Sequence, residues 1–180
     1  MLDAAPPPVP PRYATVAEDY GPALGRLVRG YEADPDRQRD LLQDIHLALW
    51  RSLPTFDGRA SLRTWVYRVA HNVAVTHVLK SARHRPERLL PIESFEEACS
   101  AGDAVLHTEQ RDAVARLATL VRQLRPGDRQ VILLYLEGFD HAEIAEMAGI
   151  SPENAATKVH RIKRVLQGAL ARGSEDHAAR

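Results

Sequence analysis

The chain has 180 residues, which allows one ordinary domain or two small ones, and apolar residues make up 44% of it against only 6% aromatics, a balance that favours helical bundles over a β-sandwich. The formal net charge is zero, from 24 Lys+Arg and 24 Asp+Glu, so the overall balance gives no sign of nucleic-acid binding. The single cysteine, Cys99, excludes an internal disulfide and a multi-cysteine zinc site, and no stretch approaches the ~18 apolar residues of a membrane span.

The first segment of the chain, residues 1–12, contains five prolines and is predicted to be a flexible arm. It lacks the charged start and the apolar run of a secretion signal. A protein without such a signal, with one unpaired thiol, is expected in the cytoplasm.

Three helices are predicted next, over residues 16–31, 35–53 and 61–84. Pro35 suits a first helical turn and Pro54 ends the second helix, while Ser61 is a plausible N-cap for the third. The apolar stripe predicted for the third helix comprises Leu62, Trp65, Val66, Val69, Val73 and Thr76.

The charge changes sign along the chain, although it sums to zero. Residues 61–85 hold five Lys/Arg and no acid, residues 86–115 hold seven Asp/Glu against two Arg, and residues 150–172 are positive again. The acidic segment contains prolines and glycine and has no sustained periodicity, so it is predicted to be an interdomain linker.

The most specific pattern in the chain is a helix-turn-helix after residue 139. Asp140 with Glu143 forms a capping box, Gly149 can adopt the left-handed conformation that the turn requires, and Ser151 caps a second helix whose first turn holds Pro152. The apolar stripe of that second helix is Ala155, Val159, Ile162, Leu166 and Leu170. The exposed stripe carries amide, hydroxyl and cationic groups, which can bond base edges and phosphates in a major groove.

Three stretches together resemble the extracytoplasmic-function sigma factors: DLLQDIHLALW at 40–50, SLRTWVYRVAHN at 61–72, and the helix-turn-helix at 140–166. The resemblance implies an all-α fold of two small helical domains joined by an acidic linker. It divides the chain into the flexible arm at 1–12, a sigma-2 domain at 13–85, the linker at 86–112, a sigma-4 domain at 113–172 and a tail at 173–180.

The resemblance also implies three groups of site residues. Those for binding core RNA polymerase are Asp40, Gln43, Asp44 and Leu47. Those for holding and melting the minus-ten DNA are Phe56, Asp57, Ser61, Arg63, Trp65, Tyr67, Arg68, Asn72, Lys80 and Arg83. Those for reading the minus-thirty-five DNA are Ser151, Asn154, Thr157, Lys158, His160, Arg161 and Arg164.

The function that follows is a non-catalytic initiation subunit that binds core RNA polymerase and promoter DNA. No cofactor or metal is expected, because His71, His77 and His84 step by six and seven residues and match no ligand pair of the H-x-x-x-H type. An anti-sigma factor is a further candidate partner by resemblance. A conventional helix-turn-helix repressor or activator is the alternative, although it leaves the acid-free aromatic segment and the DLLQD face unexplained.

Overall fold

The computed structural model describes residues 13–84, 89–100 and 113–178, and the side chains of 82–84, 98–100 and 172–178 are not described. Within these ranges the chain forms eight α-helices, a short 3-10 turn and no strand beyond an isolated bridge between Leu90 and Leu124. The predicted all-α class is confirmed. The proline-rich arm at 1–12 lies outside the described residues, as do Arg85, parts of the predicted linker (86–88 and 101–112) and the last two residues. No helix in the described ranges is both long and apolar enough to cross a membrane.

The N-terminal helical unit contains the three predicted helices. They are α1 (Tyr13–Tyr31), α2 (Pro35–Ser52) followed by a 3-10 turn (Leu53–Thr55), and α3 (Leu62–His84). Asp34 caps α2 by accepting the backbone N–H groups of Asp36 and Arg37, with Pro35 in the first turn as predicted. Ser61 caps α3, because its hydroxyl accepts the backbone N–H of Thr64 at 3.0 Å.

The buried face of α3 differs from the predicted stripe. Among the stripe residues only Val66 is fully buried, and Thr76 is exposed. The buried side chains are Thr64, Val66, Tyr67, Ala70, His71, Ala74 and Val78. The stripe was misplaced because α3 packs on α1 and α2 and also on α6 and α7, so small and polar residues are covered as well. An apolar pattern read along one helix cannot represent a helix that has neighbours on several sides.

His71 is a polar group inside this core. It is fully buried, and its Nδ1 is hydrogen-bonded to the Tyr31 hydroxyl at 2.8 Å. Burial lowers the pKa of His71 to about 3, so the imidazole is neutral at physiological pH.

The C-terminal helical unit comprises α5 (Ala113–Gln123), α6 (Pro126–Leu136), α7 (His141–Ala148) and α8 (Pro152–Ala178). Pro126 lies in the first turn of α6, where its missing N–H costs nothing. Arg129 on α6 is buried, and its guanidinium donates to the carbonyl oxygens of Tyr31 (3.1 Å) and Leu124 (3.0 Å). Because Tyr31 belongs to α1, this arginine fastens the C-terminal unit to the N-terminal one.

A helix that the sequence did not predict lies in the linker. Residues Ile92–Ser100 form α4, which packs on α8. Two backbone hydrogen bonds hold the segment before it, from Leu90 N to Gln123 O (2.9 Å) and from Arg125 N to Leu90 O (3.1 Å). Ile92 and Phe95 are the apolar anchors of α4, at 5% and 0% exposure. Two apolar residues three apart are too short a pattern to indicate a helix, and α4 forms where tertiary packing covers them.

Candidate polymerase and nucleic-acid interfaces

The predicted polymerase-binding residues share one exposed face of α2. Asp40, Gln43, Asp44 and Leu47 are all exposed, while Leu41, Ile45 and Leu49 of the same helix are fully buried. The spacing of three and four residues puts the exposed side chains in line on one face. In the part of the chain that the structure describes, no protein group hydrogen-bonds to the side chains of Asp40, Gln43 or Asp44. Two carboxylates, an amide and a leucine are therefore available to a basic partner.

Trp50 extends this face by one turn, although the sequence analysis did not include it among the site residues. It lies three residues after Leu47, and 59% of its surface is exposed, against 39% for Leu47. Exposed tryptophans are uncommon on surfaces that have no partner and are enriched in the centres of protein interfaces. The helical spacing from Leu47 was the sequence signal that could have identified it.

The predicted strand-gripping loop lies between α2 and α3. Asp57 is exposed and accepts the backbone N–H of Arg59 at 3.0 Å, and Gly58 supplies a positive φ of 74°. Phe56 is half-buried against Trp65, with ring centroids 5.5 Å apart. Trp65 is itself half-buried on the core, so the Phe56–Trp65 pair supports the loop while each ring keeps an accessible part.

Three of the predicted minus-ten residues on α3 face the C-terminal unit. The guanidinium of Arg63 lies 3.8 Å from the centroid of the Phe139 ring and donates to the backbone carbonyl of Glu137. Tyr67 is buried, and its hydroxyl donates to the Glu137 carboxylate at 2.7 Å. Arg68 pairs with the exposed carboxylate of Glu146. All three side chains contact protein groups in this structure. A single DNA strand would have to compete with those groups to reach them.

Glu137 is central to this contact and was not singled out from the sequence. Arg26 of α1 donates two hydrogen bonds of 2.9 Å to its carboxylate, in addition to the bond from Tyr67. Partial burial raises the pKa of Glu137, but the hydrogen bonds from Arg26 and Tyr67 outweigh it and leave the pKa below its ordinary value. Nothing local in the sequence indicates this role, because its partners are 70 and 111 residues away.

Other predicted minus-ten residues lie along α3 and at its cap. Asn72 and Lys80 are exposed along α3, and Ser61 is exposed at its cap. Arg83 is helical, but its side chain lies outside the described residues. The exposed amide and the loop beside α3 form a surface that could read and hold an extruded base without any change in domain packing.

The helix-turn-helix has the geometry that the sequence predicted. The Asp140 carboxylate accepts the backbone N–H of Glu143 at 2.8 Å, and the Glu143 carboxylate accepts that of Asp140 at 3.0 Å. Gly149 ends α7 with a left-handed φ of 68°. Ile150, half-buried after the turn, donates its N–H to Ala145 O at 3.1 Å and packs on the core.

The recognition helix α8 begins as predicted. Ser151 accepts the backbone N–H of Asn154 at 3.2 Å, and Pro152 is the first helical residue. Its buried stripe contains Ala155, Val159, Ile162 and Leu166 as predicted, with Leu170 half-buried. The predicted DNA-reading residues that are exposed are Ser151, Asn154, Thr157, His160 and Arg164.

Two predicted DNA-reading cations of α8 are half-buried and engaged within the chain. Lys158 pairs with Asp128 of α6, whose residue surface is only 7% exposed. Arg161 pairs with Glu93 at 2.5 Å and with Glu96 at 3.2 Å, and both carboxylates belong to α4. These pairs were not predicted from the sequence, although Glu93 and Glu96 have the same spacing of three residues as Arg161 and Arg164.

Arg164 is also held by α4, through a 2.5 Å contact with Glu96. The carboxylate of Glu93 accepts its own backbone N–H, and this bond together with Arg161 keeps the pKa of Glu93 below its ordinary value. The carboxylate is therefore ionised at neutral pH. Carboxylates and phosphates satisfy arginine in the same way, by accepting its charged N–H groups.

Two family models match the chain, one over each helical unit. The family described as Sigma-70 region 2 matches residues 16–84, which cover the N-terminal helical unit from α1 to α3. The family described as Sigma-70, region 4 matches residues 115–166, which cover α5 to α7 and the recognition part of α8. The matches occur in this order along the chain and leave α4 between them.

Curated relatives are similar to the chain over most of their length. The ECF RNA polymerase sigma factor SigX of Bacillus subtilis is 28% identical over 159 residues, which span 86% of this chain and 79% of the relative. The ECF RNA polymerase sigma-E factor of Escherichia coli K12 is 25% identical over 157 residues, spanning 82% of this chain and 80% of the relative.

Two solved structures share the fold. One is the sigma factor RpoE in complex with the anti-sigma factor NepR from Bartonella quintana, with a TM-score of 0.66 and 19% identity over 88% of this chain and 96% of that one. The other is CnrH in complex with the cytosolic domain of CnrY, with a TM-score of 0.60 and 21% identity over 88% of this chain and 87% of that one.

Proposed function

This chain belongs to the sigma-70 family, as an RNA polymerase sigma factor of the extracytoplasmic-function type, and we propose that its two helical domains provide three separate working surfaces. Residues 13–85 act as the sigma-2 domain, 86–112 as the linker and 113–172 as the sigma-4 domain. The observation that carries this proposal is the ordered pair of matches, region 2 at 16–84 and region 4 at 115–166, the second containing a fully capped helix-turn-helix.

The first surface binds core polymerase through α2. Asp40, Gln43 and Asp44 meet a basic partner, and Leu47 supplies apolar contact. Trp50 joins them, because its exposed ring lies on the same face, one turn along. An exposed aromatic beside carboxylates suits an interface in which an apolar centre fixes the complex and the charges orient it.

The second surface grips the non-template strand of the minus-ten element. Phe56, Asp57 and Ser61 form the loop around an extruded base, Asn72 reads a base edge, and Lys80 attracts phosphate. Arg83 supplies a further positive charge to this segment of the sequence. Trp65 supports the loop through its contact with Phe56. The remaining members, which reach the strand once the two helical units separate, are Arg63, Tyr67 and Arg68.

The third surface reads the minus-thirty-five element with α8. Its exposed groups enter the major groove through the first turns of the helix, as in other helix-turn-helix proteins. The members nearest the bases are Ser151, Asn154, Thr157, His160 and Arg161. Lys158 and Arg164 lie nearer the DNA backbone, where a cation contributes affinity more than sequence preference.

The polymerase catalyses RNA synthesis, and this chain selects the place on the DNA where synthesis begins. Two modest DNA contacts joined by a linker strengthen each other through effective concentration once polymerase holds both sites. We place this work in the cytoplasm, where core polymerase and the chromosome are found in bacteria. The solved neighbours RpoE and CnrH are bound to NepR and to the cytosolic domain of CnrY, respectively, and we propose that an anti-sigma factor restrains this chain as well.

Transcription in vitro with bacterial core polymerase on a library of random promoters tests the proposal. Added chain should select templates that share two sequence elements at a fixed spacing, one upstream for α8 and one for the loop and α3. Core polymerase alone supplies the baseline. A chain that enriches no template, or that binds one duplex tightly without polymerase and represses it, would favour the conventional repressor instead.

A further inference from the structure

We infer that α4 is an autoinhibitory element. In the free chain it covers DNA-binding residues of the recognition helix α8, and it must move away before α8 can bind the minus-thirty-five DNA. The inference rests on the proposed use of Arg161 and Arg164 for DNA. It adds an internal competitor for that site, made from the linker that connects the two domains.

The α4–α8 contact joins carboxylates to the two arginines that we assign to DNA. Glu93 and Glu96 carry two carboxylates spaced by one helical turn, and they engage two guanidiniums spaced in the same way on α8. Arg161 contacts both carboxylates at 2.5 and 3.2 Å, and Arg164 contacts Glu96 at 2.5 Å. A base edge at Arg161 and a phosphate at Arg164 would accept hydrogen bonds from the same guanidinium N–H groups. DNA and α4 therefore compete for the same N–H groups.

Apolar burial and backbone hydrogen bonds hold α4 in place. Phe95 is fully buried and Ile92 nearly so, and backbone bonds tie Leu90 to Gln123 and Arg125. These apolar and backbone contacts keep the carboxylates of Glu93 and Glu96 near α8, so strong ion pairs are not needed to hold α4 in place. The apolar anchor thus provides a high local concentration of acid beside the recognition helix.

The ion pairs between α4 and α8 are weak enough to be displaced. The side chains of Arg161 and Arg164 are 35% and 63% exposed, and those of Glu93 and Glu96 are 58% and 33% exposed. Ion pairs that solvent reaches contribute little and are screened by salt. A DNA duplex with polymerase behind it can replace them, whereas stray duplex meets a helix whose two arginines are already neutralised.

The test measures binding of the free, full-length chain to a labelled duplex of random sequence by fluorescence anisotropy, at about 50 mM salt, where phosphate contacts are strong. Glu93→Gln with Glu96→Gln should tighten binding by about threefold to thirtyfold, the range expected when two arginines lose their solvent-accessible carboxylate partners. Glu97→Gln is the matched control, because Glu97 is exposed on α4 and makes no ion pair among the described residues. It should change affinity by less than about twofold.

A double-variant comparison separates competition from general repulsion of DNA by acids. In a chain that carries Arg161→Ala and Arg164→Ala, the two glutamine substitutions should no longer tighten binding. Hydrogen exchange provides a readout that needs no variant, since saturating duplex should speed the exchange of α4 amides while slowing that of α8.

Equal tightening by Glu97→Gln, or tightening that persists without the arginines, would overturn the inference. So would unchanged exchange of α4 in the DNA complex. The proposed function has a separate readout in polymerase-dependent initiation. If loss of both arginines abolishes initiation while the glutamine pair leaves duplex binding unchanged, the function stands and the inference fails. Initiation that survives loss of both arginines would overturn the role of α8 and the inference together.

Discussion

Glu137→Ala should weaken the packing of the two helical units by roughly 2 kcal/mol. The substitution leaves the Tyr67 hydroxyl, which belongs to a residue with only 3% of its surface exposed, without its carboxylate acceptor. A buried polar group left unsatisfied costs about 1–3 kcal/mol. The pair with Arg26 adds less, about 0–1 kcal/mol, because that arginine side chain is 54% exposed. Arg63 keeps its hydrogen bond, since it donates to the backbone carbonyl of Glu137.

Urea unfolding followed by circular dichroism at neutral pH measures this loss. Glu146→Ala is the matched control at the same interface, because its pair with Arg68 is exposed and should contribute less than about 1 kcal/mol. In a Tyr67→Phe background the cost of Glu137→Ala should fall to about 1 kcal/mol or less, since no hydroxyl then remains to be stranded. A wild-type free energy of unfolding for Glu137→Ala, or full additivity with Tyr67→Phe, would refute this account of the interface.

Four further predictions concern the other surfaces and the core. Arg161→Ala should weaken promoter binding by polymerase holoenzyme by ~1–3 kcal/mol and relax preference at one upstream position, and equal losses on every sequence would assign it to phosphate instead. Asp44→Lys should reduce affinity for core polymerase while the circular dichroism stays native, and unchanged affinity would remove α2 as the docking face. Folding lowers the pKa of His71, so its contribution to stability is complete above pH ~6.5 and is lost progressively toward pH 3, by about 2 kcal/mol at pH 5. His71→Gln should therefore reduce the fall in unfolding free energy between pH ~6.5 and pH 3. An unchanged pH dependence would contradict a buried neutral imidazole. Asp140→Ala should cost about 1 kcal/mol of unfolding free energy in urea, and no loss would show that the capping box is dispensable.

Local signals in the sequence predicted the helices and their ends well. Pro35 suits a helix start because its φ is fixed and its missing N–H is not needed in the first turn. Ser61 and the capping box at 140 specify a helix start through hydrogen bonds made within three residues, and these form as expected. The turn at Gly149 is local in the same sense, because only the backbone of that residue has to take a positive φ. Such features need no knowledge of the rest of the fold.

Contacts between distant segments could not be predicted in this way. The buried face of α3 depends on the C-terminal unit packing against it, and Glu137 gains its role only through Arg26 and Tyr67. Helix α4 is stable because α8 covers Phe95 and pairs with its acids. The sequence does show the reversal of charge between linker and α8, but not the docking that turns complementary charge into ion pairs.

The site residues divide along the same line. Exposure of Asp44 and its neighbours on α2 follows from helical spacing, which the sequence contains. Arg63 is engaged by the backbone carbonyl of Glu137, and Tyr67 and Arg161 are engaged by carboxylates from other segments. All three contacts depend on tertiary packing. The sequence is enough to assign these residues to the DNA-binding surfaces. It does not indicate which groups they contact in the free protein.

The most direct test of the central claim is promoter opening by the purified chain with bacterial core polymerase, read from the permanganate reactivity of unpaired thymines on a template selected from the random library. We predict reactive thymines on the minus-ten strand and a new RNA start site only when chain and core polymerase are both present. Core polymerase that gives the same reactivity and the same starts with or without the chain would contradict the account.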